Sequence, residues 1–281
     1  MNRAMAPFLA RRALYAVALL FCASLVLFLA RPFIDYLTFL RDLLVGNLGS
    51  SASTGVPVVT TIARGAPFTL VLGLAAFVLT YATAVPLGIL AAWKQNTAWD
   101  RAGLSLAVLG MGIPNFFLAI LLIQVFGIWL HWLPVAGSGN ASNLVLPAVV
   151  LAFESIAINL RVVRSTMLEE LGREYVRTLY ANGLSEARIL WVHALRNALP
   201  VILQLAAIVA RNVLGYTLIV EVIFRWPGLG HELVESVLRG DYGEARVLSL
   251  LLVLVVIVLN LFADIGHQLA DPRVRERMQA A

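Results

Sequence analysis

The chain has 281 residues, of which 60% are hydrophobic and 13% are charged, whereas about 25% of the residues in a soluble domain are charged. A water-soluble monomer of this size cannot bury so much apolar surface, and the mean hydropathy of +0.87 indicates lipid as the solvent. The same composition excludes an intrinsically disordered chain, and the single cysteine, Cys22, excludes a scaffold held by disulfides.

Six segments are predicted to span a membrane, because each approaches the roughly 20 apolar residues that cross about 30 Å of hydrocarbon. They run approximately over 13–30, 66–92, 103–130, 144–160, 199–222 and 247–269. The first is predicted to be an uncleaved anchor, since its apolar run is longer than that of a secretory signal. The fourth is short and contains Pro147, Glu154 and Asn159, so a bundle of five spans stays open beside one of six.

The placement of Lys and Arg predicts the orientation of these spans, because short cytoplasmic loops are enriched in both residues. With the N-terminus inside, the inner segments hold fourteen of them and the outer loops hold six. Both termini are therefore expected in the cytoplasm, with external loops at 31–65 and 223–246. The formal net charge of +5 is explained by topology, and a nucleic-acid partner loses its support.

Features within the spans predict packing, bending and a polar path. Small residues in the second span, Gly88 among them, favour close helix packing. Gly110, Gly112 and Pro114 predict a kink in the third span, either static or a gating hinge. The charged residues within apolar runs, which are Glu154, Arg211 and Asp264, should face the bundle or water.

Two interpretations of these intramembrane charges stay open. Glu154 and Arg211 form a structural ion pair, or they line a translocation path together with Asn159 and Asn212, where the termini of a zwitterionic peptide would meet charges. Asp264 suits a position close to the membrane interface.

The cytoplasmic segment 161–199 is predicted to form two short helices. Leu168, Leu171, Tyr175 and Leu179 make an apolar stripe on the first helix, with Glu169, Glu170, Arg173, Glu174 and Arg177 on its other faces. Gly183 is expected to end this helix in a left-handed conformation, with Leu184 folding back on the preceding turn. Ser185 is predicted to be the N-cap of a second helix, which presents Ile189, Val192, Leu195 and Leu199 on one side. The pair either lies on the membrane surface or docks in a groove of a soluble partner.

The external segment from Glu221 to Arg246 mixes aromatic, acidic and proline residues, which indicates a structured cap. The spacing from Leu233 to Leu238 predicts one short surface helix within it.

Motifs after residue 45 carry a family resemblance. They include Pro114-Asn-Phe-Phe, Tyr175-Val-Arg-Thr-Leu-Tyr-Ala-Asn-Gly183-Leu-Ser, His193-Ala-Leu-Arg-Asn-Ala198, Glu221-Val-Ile-Phe224 followed by Pro227-Gly-Leu-Gly230, and Asp241-Tyr242. In this order they resemble the dipeptide and oligopeptide permeases of ATP-binding-cassette importers. The chain departs from the general importer motif at Thr178 and Leu179, where that motif has two alanines, and its segment between the first two spans is shorter than usual.

The resemblance implies an all-α integral membrane protein with the type I importer permease fold, forming one transmembrane permease domain over 1–281 in a bacterial-type inner membrane. The implied partners are a second permease subunit, expected to be a different chain, two cytoplasmic ATP-binding subunits and an external substrate-binding protein. Di- or oligopeptides are the implied cargo, with nickel chelates and antimicrobial peptides as alternatives.

The resemblance also implies roles for particular residues. Those expected to couple to the ATPases are Tyr175, Val176, Arg177, Leu179, Tyr180, Gly183, Leu184 and His193. Those expected at the external gate are Glu221, Pro227, Gly228 and Gly230. The segment 161–199 would then act as a lever between the ATPases and the fourth and fifth spans.

No catalytic constellation is found in the sequence. A P-loop needs a glycine directly before its lysine, and the only lysine, Lys94, lacks one. ATP and magnesium are therefore expected in partner subunits, with no cofactor or metal in this chain. His231-Glu232 begins like a zinc motif, but Glu235 stands where its second histidine would be. A secondary transporter driven by an ion gradient stays open as the alternative, because broken helices and buried charges are typical of that class.

Overall fold

The computed structural model describes residues 5–27 and 33–270. Its α-helices are α1 (Met5–Val26), α2 (Phe33–Leu44), α3 (Val58–Trp93), α4 (Ala98–Gly112), α5 (Asn115–Leu122), α6 (Val145–Leu171), α7 (Glu174–Ala181), α8 (Glu186–Arg188), α9 (Leu195–Ile223), α10 (Leu229–Leu238) and α11 (Tyr242–Ala270). Wider π-helical turns continue α5 over Ile123–Trp129 and join α8 to α9 over Ile189–Ala194.

Four helical stretches in the described ranges are long and apolar enough to cross a membrane. They are Val58–Trp93, Ala141–Leu171, Glu186–Val213 and Tyr242–Leu261, which correspond to the predicted second, fourth, fifth and sixth spans. The fourth, predicted to be marginal at 144–160, belongs to a helical stretch of 31 residues. The predicted first span, 13–30, extends into residues outside those described.

The predicted third span differs most from expectation. The sequence predicts one kinked helix over 103–130, but α4 and the stretch Asn115–Trp129 meet at 107°. Ile113 and Pro114 between them are extended, because proline lacks the N–H of a helical residue and disfavours helical backbone in the residue before it. The two halves count as one broken span or as a re-entrant loop.

Gly110 and Gly112 do not share the break with Pro114. Gly110 is buried inside α4, where an added Cβ would lie 2.5 Å from the Cβ of Ala157 on α6. Gly112 has open space around it. Gly110 therefore serves close helix packing, and the change of direction is confined to Ile113 and Pro114.

Helix α6 lies at the centre of the bundle. Leu151 and Leu160 are buried against residues of α3 and α9, and Met167 joins a second apolar cluster closer to α7. A Cβ added at Gly88 of α3 would lie 2.8 Å from the Cβ of Val163, which confirms the predicted close packing of the second span. The opposite side of α3 exposes Leu70, Leu74 and Val78, as expected of a surface that faces lipid.

Candidate functional site

The segment between α6 and α9, residues 172–194, forms a hook at one end of the bundle, which we call the coupling hook after the role that the sequence predicts for it. The sequence predicts one helix carrying Leu168, Leu171, Tyr175 and Leu179, but the chain breaks at Gly172 and Arg173. Leu168 and Leu171 therefore belong to α6, whereas Tyr175 and Leu179 belong to α7.

Glu170 holds the start of the hook against α6. The sequence places it on a polar face, but it is buried. Its carboxylate accepts a hydrogen bond from the Tyr175 hydroxyl at 3.2 Å and pairs with Arg173 Nη2 at 2.9 Å. Burial, and then the hydrogen bond to Glu170, raise the pKa of Tyr175, although its hydrogen bond with Asn197 acts in the opposite direction. Tyr175 thus joins the hook to α6 and to the start of α9.

The turn after α7 confirms the prediction for Gly183. This residue has φ +77, its N–H donates to the carbonyl of Tyr180, and the N–H of Leu184 donates to the carbonyl of Leu179. These two bonds define a Schellman motif, which needs a left-handed residue at the glycine position. Ser185 occupies the predicted N-cap position of α8, but its side chain makes no capping hydrogen bond.

The second predicted helix of the hook is continuous with α9. Only part of its expected apolar face is buried, since Ile189 is buried and Leu195 half-buried, whereas Val192 and Leu199 are exposed. Leu190 and Ala194 are buried in their place. The wider turns of Ile189–Ala194 hold more residues per turn than an α-helix, which shifts the side chains that follow onto another face.

The predicted coupling residues divide between the interior and the surface of the hook. Val176 is buried, and Tyr175, Leu179, Leu184 and His193 are half-buried. Arg177, Tyr180 and Gly183 are exposed, with 48% of Tyr180 accessible. The outward surface of the hook is therefore formed by Arg177, Tyr180 and the glycine turn.

At the opposite end of α9, Glu221 organises a second cluster. Glu221 is fully buried. Its carboxylate accepts hydrogen bonds from Thr69 Oγ1 at 2.7 Å, from the N–H of Gly230 at 2.7 Å and from the N–H of His231 at 3.2 Å. Thr69 Oγ1 in turn accepts a hydrogen bond from the N–H of Leu229 at 2.8 Å. Glu221 and Thr69 together satisfy the free N–H groups at the start of α10.

Two glycines make this arrangement possible. An added Cβ at Gly228 would collide with the Glu221 carboxylate, and one at Gly230 would lie 2.6 Å from the Cα of Leu218. Pro227 precedes them, and the indole N–H of Trp226 donates to the carbonyl of Phe68 at 2.9 Å. The structure thus brings all four predicted external gate residues together, and α10 contains the predicted surface helix at Leu233 to Leu238.

Two further buried carboxylates extend this cluster, and sequence reasoning missed their partners. Asp241 accepts hydrogen bonds from Ser51 Oγ at 2.7 Å and from the N–H groups of Ser53 and Glu244, both at 3.1 Å. Burial by itself would raise the pKa of Asp241, but these hydrogen bonds and one from the backbone of Ala52 outweigh it and lower the pKa to about 2. The motif Asp241-Tyr242 was visible in the sequence, whereas no local signal connects it to Ser51.

Glu244 is the second of these carboxylates. Its carboxylate accepts hydrogen bonds from Thr61 Oγ1 at 2.8 Å and from Ser236 Oγ at 3.1 Å, and Arg239 Nη2 lies 3.5 Å from it. We call residues 221–244, together with their partners Ser51, Ser53, Thr61 and Thr69, the external cap.

The predicted path residues are not joined to one another. Asn159 is buried, accepts a hydrogen bond from the Tyr81 hydroxyl at 3.1 Å and donates to the carbonyl of Ser155. Glu154 and Asn212 are half-buried and Arg211 is exposed. Within the described ranges no ion pair connects Glu154 to Arg211, so the structural pairing of these two residues is not found. The side chain of Asp264 lies outside the described part of the chain.

The model of the family described as binding-protein-dependent transport system inner membrane component matches residues 84–276. The chain belongs to this family. Its matched region contains the coupling hook, the external cap residues from Glu221 onward and most of the bundle. Membership confirms the prediction of a multi-pass permease of the inner membrane that is itself the non-catalytic component.

Relatives from peptide transport systems match most of this permease. It is 38% identical over 243 residues to the dipeptide transport system permease protein of Bacillus subtilis, with 86% of this chain and 79% of the relative covered. It is 34% identical over 271 residues to the di/tripeptide transport system permease protein of Pseudomonas aeruginosa, with 86% and 81% covered. The oligopeptide transport system permease protein of Bacillus subtilis is also 34% identical.

A solved structure supports the predicted fold of the permease. The MetNI methionine ABC transporter, in an inward-facing conformation, matches with a TM-score of 0.63 at 19% identity, covering 76% of this chain and 98% of the other. At this identity the match concerns the fold, which is that of an ABC importer permease.

Proposed function

We propose that this permease forms half of the translocation path of an ATP-driven importer of di- or oligopeptides. Its partners are a second permease, two ATP-binding subunits that hold ATP and magnesium, and an external substrate-binding protein. The chain forms one permease domain over 1–281, with both termini in the cytoplasm. The peptide transport roles of the relatives support a peptide cargo, and nickel chelates or antimicrobial peptides are the alternative cargoes.

The geometry of the coupling hook is the observation that carries this proposal. The hook is attached to α6 and to α9 through short connections, while Arg177, Tyr180 and the Gly183 turn face outward. Because the hook is short and structured, a displacement of the hook also moves the two long helices to which it is attached. Coupling between two states of the transporter requires such a linked movement. Of the eight predicted coupling residues, the exposed ones therefore contact the ATPase, and the buried and half-buried ones, such as Val176, hold the hook in shape.

The remaining predicted sites complete the proposed transport cycle. Glu221, Pro227, Gly228 and Gly230 close the external side of the path. Glu154, Asn159, Arg211 and Asn212 lie along the path, since an exposed arginine on a spanning helix is costly against lipid and favours a polar neighbour such as the second permease or the cargo. The break at Ile113 and Pro114 allows the bent helix pair to change angle.

Purification in mild detergent tests the assembly. We expect two ATPase subunits and a second permease to copurify with the chain, and vesicles holding this complex to take up labelled peptides only with ATP and the binding protein. Uptake by the isolated chain on an ion gradient would contradict the proposal and favour the secondary transporter.

A matched pair of tyrosines tests the contact surface. Tyr180→Ala removes an exposed side chain of the hook, whereas Tyr242→Ala removes one that is 55% exposed in the external cap, at the opposite end of the bundle. We expect the first variant to lose copurified ATPase and the second to retain it. Equal ATPase recovery in both variants would contradict docking through the hook.

A further inference from the structure

Asp100 and Arg164 form an ion pair between α4 and α6, at the ends of these helices closest to the hook, in which Asp100 is buried and Arg164 is half-buried. Only 2% of Asp100 is exposed. Arg164 donates to it through Nε and, at 2.8 Å, through Nη2, so the two planar groups meet along two parallel hydrogen bonds. The N–H of Asn96, in the turn between α3 and α4, donates to the same carboxylate at 2.8 Å. The two donors of Arg164 fix the start of α4 against α6, and the N–H of Asn96 ties the same carboxylate to the turn before α4.

This pair is better suited to fixing geometry than to adding stability. Burying two charges costs about as much as their attraction returns, so a buried ion pair is weak evidence of stabilisation. A two-bond guanidinium–carboxylate contact does, however, fix both distance and angle, which a lysine or a single hydrogen bond does not. Around the pair the helices already pack closely, since a Cβ added at Gly103 would lie 3.6 Å from side chains of both Ala91 and Leu160.

The position of the pair connects the hook to the break in the third span. Arg164 precedes Leu171, the last residue of α6, by seven residues, or about 10 Å of helix. Asp100 lies in the first turn of α4, and α4 ends directly before the extended Ile113 and Pro114. If α4 and α6 move together, a displacement of the C-terminal end of α6 therefore also moves α4 relative to the break at its own C-terminal end.

We propose that the Asp100–Arg164 pair is a positioning joint that makes α4 follow α6, so that movement of the coupling hook changes the angle of the bent helix pair at Ile113 and Pro114. The joint rests on the proposed function, since ATP-driven movement of the hook is its input. Neither residue is among those expected to contact the ATPases, the path or the external cap.

Distance measurements between spin labels test the joint directly in the complete importer. Cys22 is the only cysteine, so Cys22→Ser provides a cysteine-free background. Labels at Val108 on α4 and Leu254 on α11 use two exposed positions. In the otherwise unchanged complex, trapping with ATP, magnesium and vanadate should change the distance between the labels, and in the Asp100→Asn complex this change should be absent or clearly smaller.

A functional readout accompanies the distances. Asp100→Asn and Arg164→Lys should each lower binding-protein-stimulated ATP hydrolysis relative to the basal rate by about 2- to 30-fold, the range expected for residues that carry coupling. Assembly should be retained, since Arg164→Lys keeps the positive charge opposite Asp100. The matched control is Arg101→Gln, the exposed arginine that directly follows Asp100 at the start of α4, which should leave stimulation unchanged.

The outcomes separate the joint from the function on which it rests. A complex with native Asp100 and Arg164 that hydrolyses ATP without any dependence on the binding protein would overturn both. Normal stimulation there, together with normal stimulation and a full label displacement in Asp100→Asn and Arg164→Lys, would overturn the joint alone. A loss of thermal stability in these variants with unchanged stimulation would assign the pair a purely structural role and likewise overturn the joint.

Discussion

The external cap and the coupling hook lie at opposite ends of α9. They differ in how many of their polar side chains find hydrogen-bond partners within this chain. In the external cap, Glu221, Asp241 and Glu244 are buried, and each accepts hydrogen bonds from at least two donors of this chain. In the hook, Glu170 is buried and bonded, but Arg177, Tyr180 and Gly183 face outward. The buried carboxylates of the external cap thus have their partners within this chain, although Nδ1 of His231 in the same region is buried without one among the described residues. The hook instead presents a surface suited to a partner.

This difference predicts two kinds of variant. Substitutions in the external cap should lower the stability of the chain itself, because they leave buried polar groups without partners. Substitutions on the outward surface of the hook should change transport at a smaller cost in stability than the loss of a buried cap carboxylate such as Glu221.

Glu221→Ala should have the largest effect. It removes the acceptor of three hydrogen bonds, from Thr69, Gly230 and His231, in a fully buried site. We expect a loss of about 3 to 5 kcal/mol in the free energy of unfolding, measured by thermal or denaturant unfolding in detergent. Glu235→Ala is the control, since Glu235 is partly exposed and lies 3.8 Å from Arg239 as a surface pair, and it should cost less than about 1 kcal/mol. Similar losses in both variants would contradict the central role of Glu221.

Gly228→Ala should have the next largest effect, because the new Cβ would overlap the Glu221 carboxylate. We expect a cost of about 2 to 3 kcal/mol, typical of adding a carbon to a closely packed site. Gly215→Ala is the matched control in α9, where nothing lies within 4 Å of the new carbon, and alanine there should raise stability by up to about 1 kcal/mol. Unfolding midpoints in detergent measure both, and a stable Gly228→Ala would contradict the observed fit.

Asp241→Asn should cost about 1 to 2 kcal/mol at neutral pH, because the hydrogen bonds from Ser51, Ser53 and Glu244 lose a charged acceptor. The pKa of Asp241 is lowered to about 2 in the folded chain, so its stabilisation is fully present above the unfolded pKa of about 3.9 and is lost as the pH falls through 2. The difference in unfolding midpoint between the native chain and Asp241→Asn should therefore be constant from pH 7 to about 5 and shrink below pH 4. A difference independent of pH would contradict this assignment.

Much of the fold could be predicted from the sequence, because spanning helices follow from apolar length. The outcomes for the third and fourth spans show the limit of that inference. The fourth contains Pro147, Glu154 and Asn159, yet it belongs to a long central helix, since Asn159 bonds to Tyr81 and to its own helix. The third has a longer apolar run but breaks at Pro114. Hydropathy measures neither the satisfaction of a buried amide nor the backbone restriction that a proline imposes on its neighbour.

The candidate sites divide in the same way. Gly183 was predictable because a Schellman turn is local, and Glu221, Pro227, Gly228 and Gly230 could be singled out because they lie within ten residues of one another, although their role at a gate stays a prediction. The partners of Asp241, Glu244 and Asp100 were not, since Ser51, Thr61 and Arg164 lie many residues away and contact them only after the helices pack. The buried face after Ile189 was also missed, because sequence periodicity assumes α-helical turns throughout.

Gly183→Ala should have the smallest effect on stability and a clear effect on coupling. The residue has φ +77 and nothing within 4 Å of an added Cβ, so the cost is the left-handed conformation itself, about 1 to 2 kcal/mol. Because the turn sets the direction in which α7 faces outward, that strain should reduce binding-protein-stimulated ATP hydrolysis while the external cap stays intact. Gly172→Ala is the matched control at the other end of the hook, since Gly172 has an ordinary helical φ of −78 and should tolerate alanine in both assays. If Gly183→Ala lowered the unfolding midpoint as far as Glu221→Ala does, the hook would be as deeply integrated as the external cap, and the contrast between the two ends would fail.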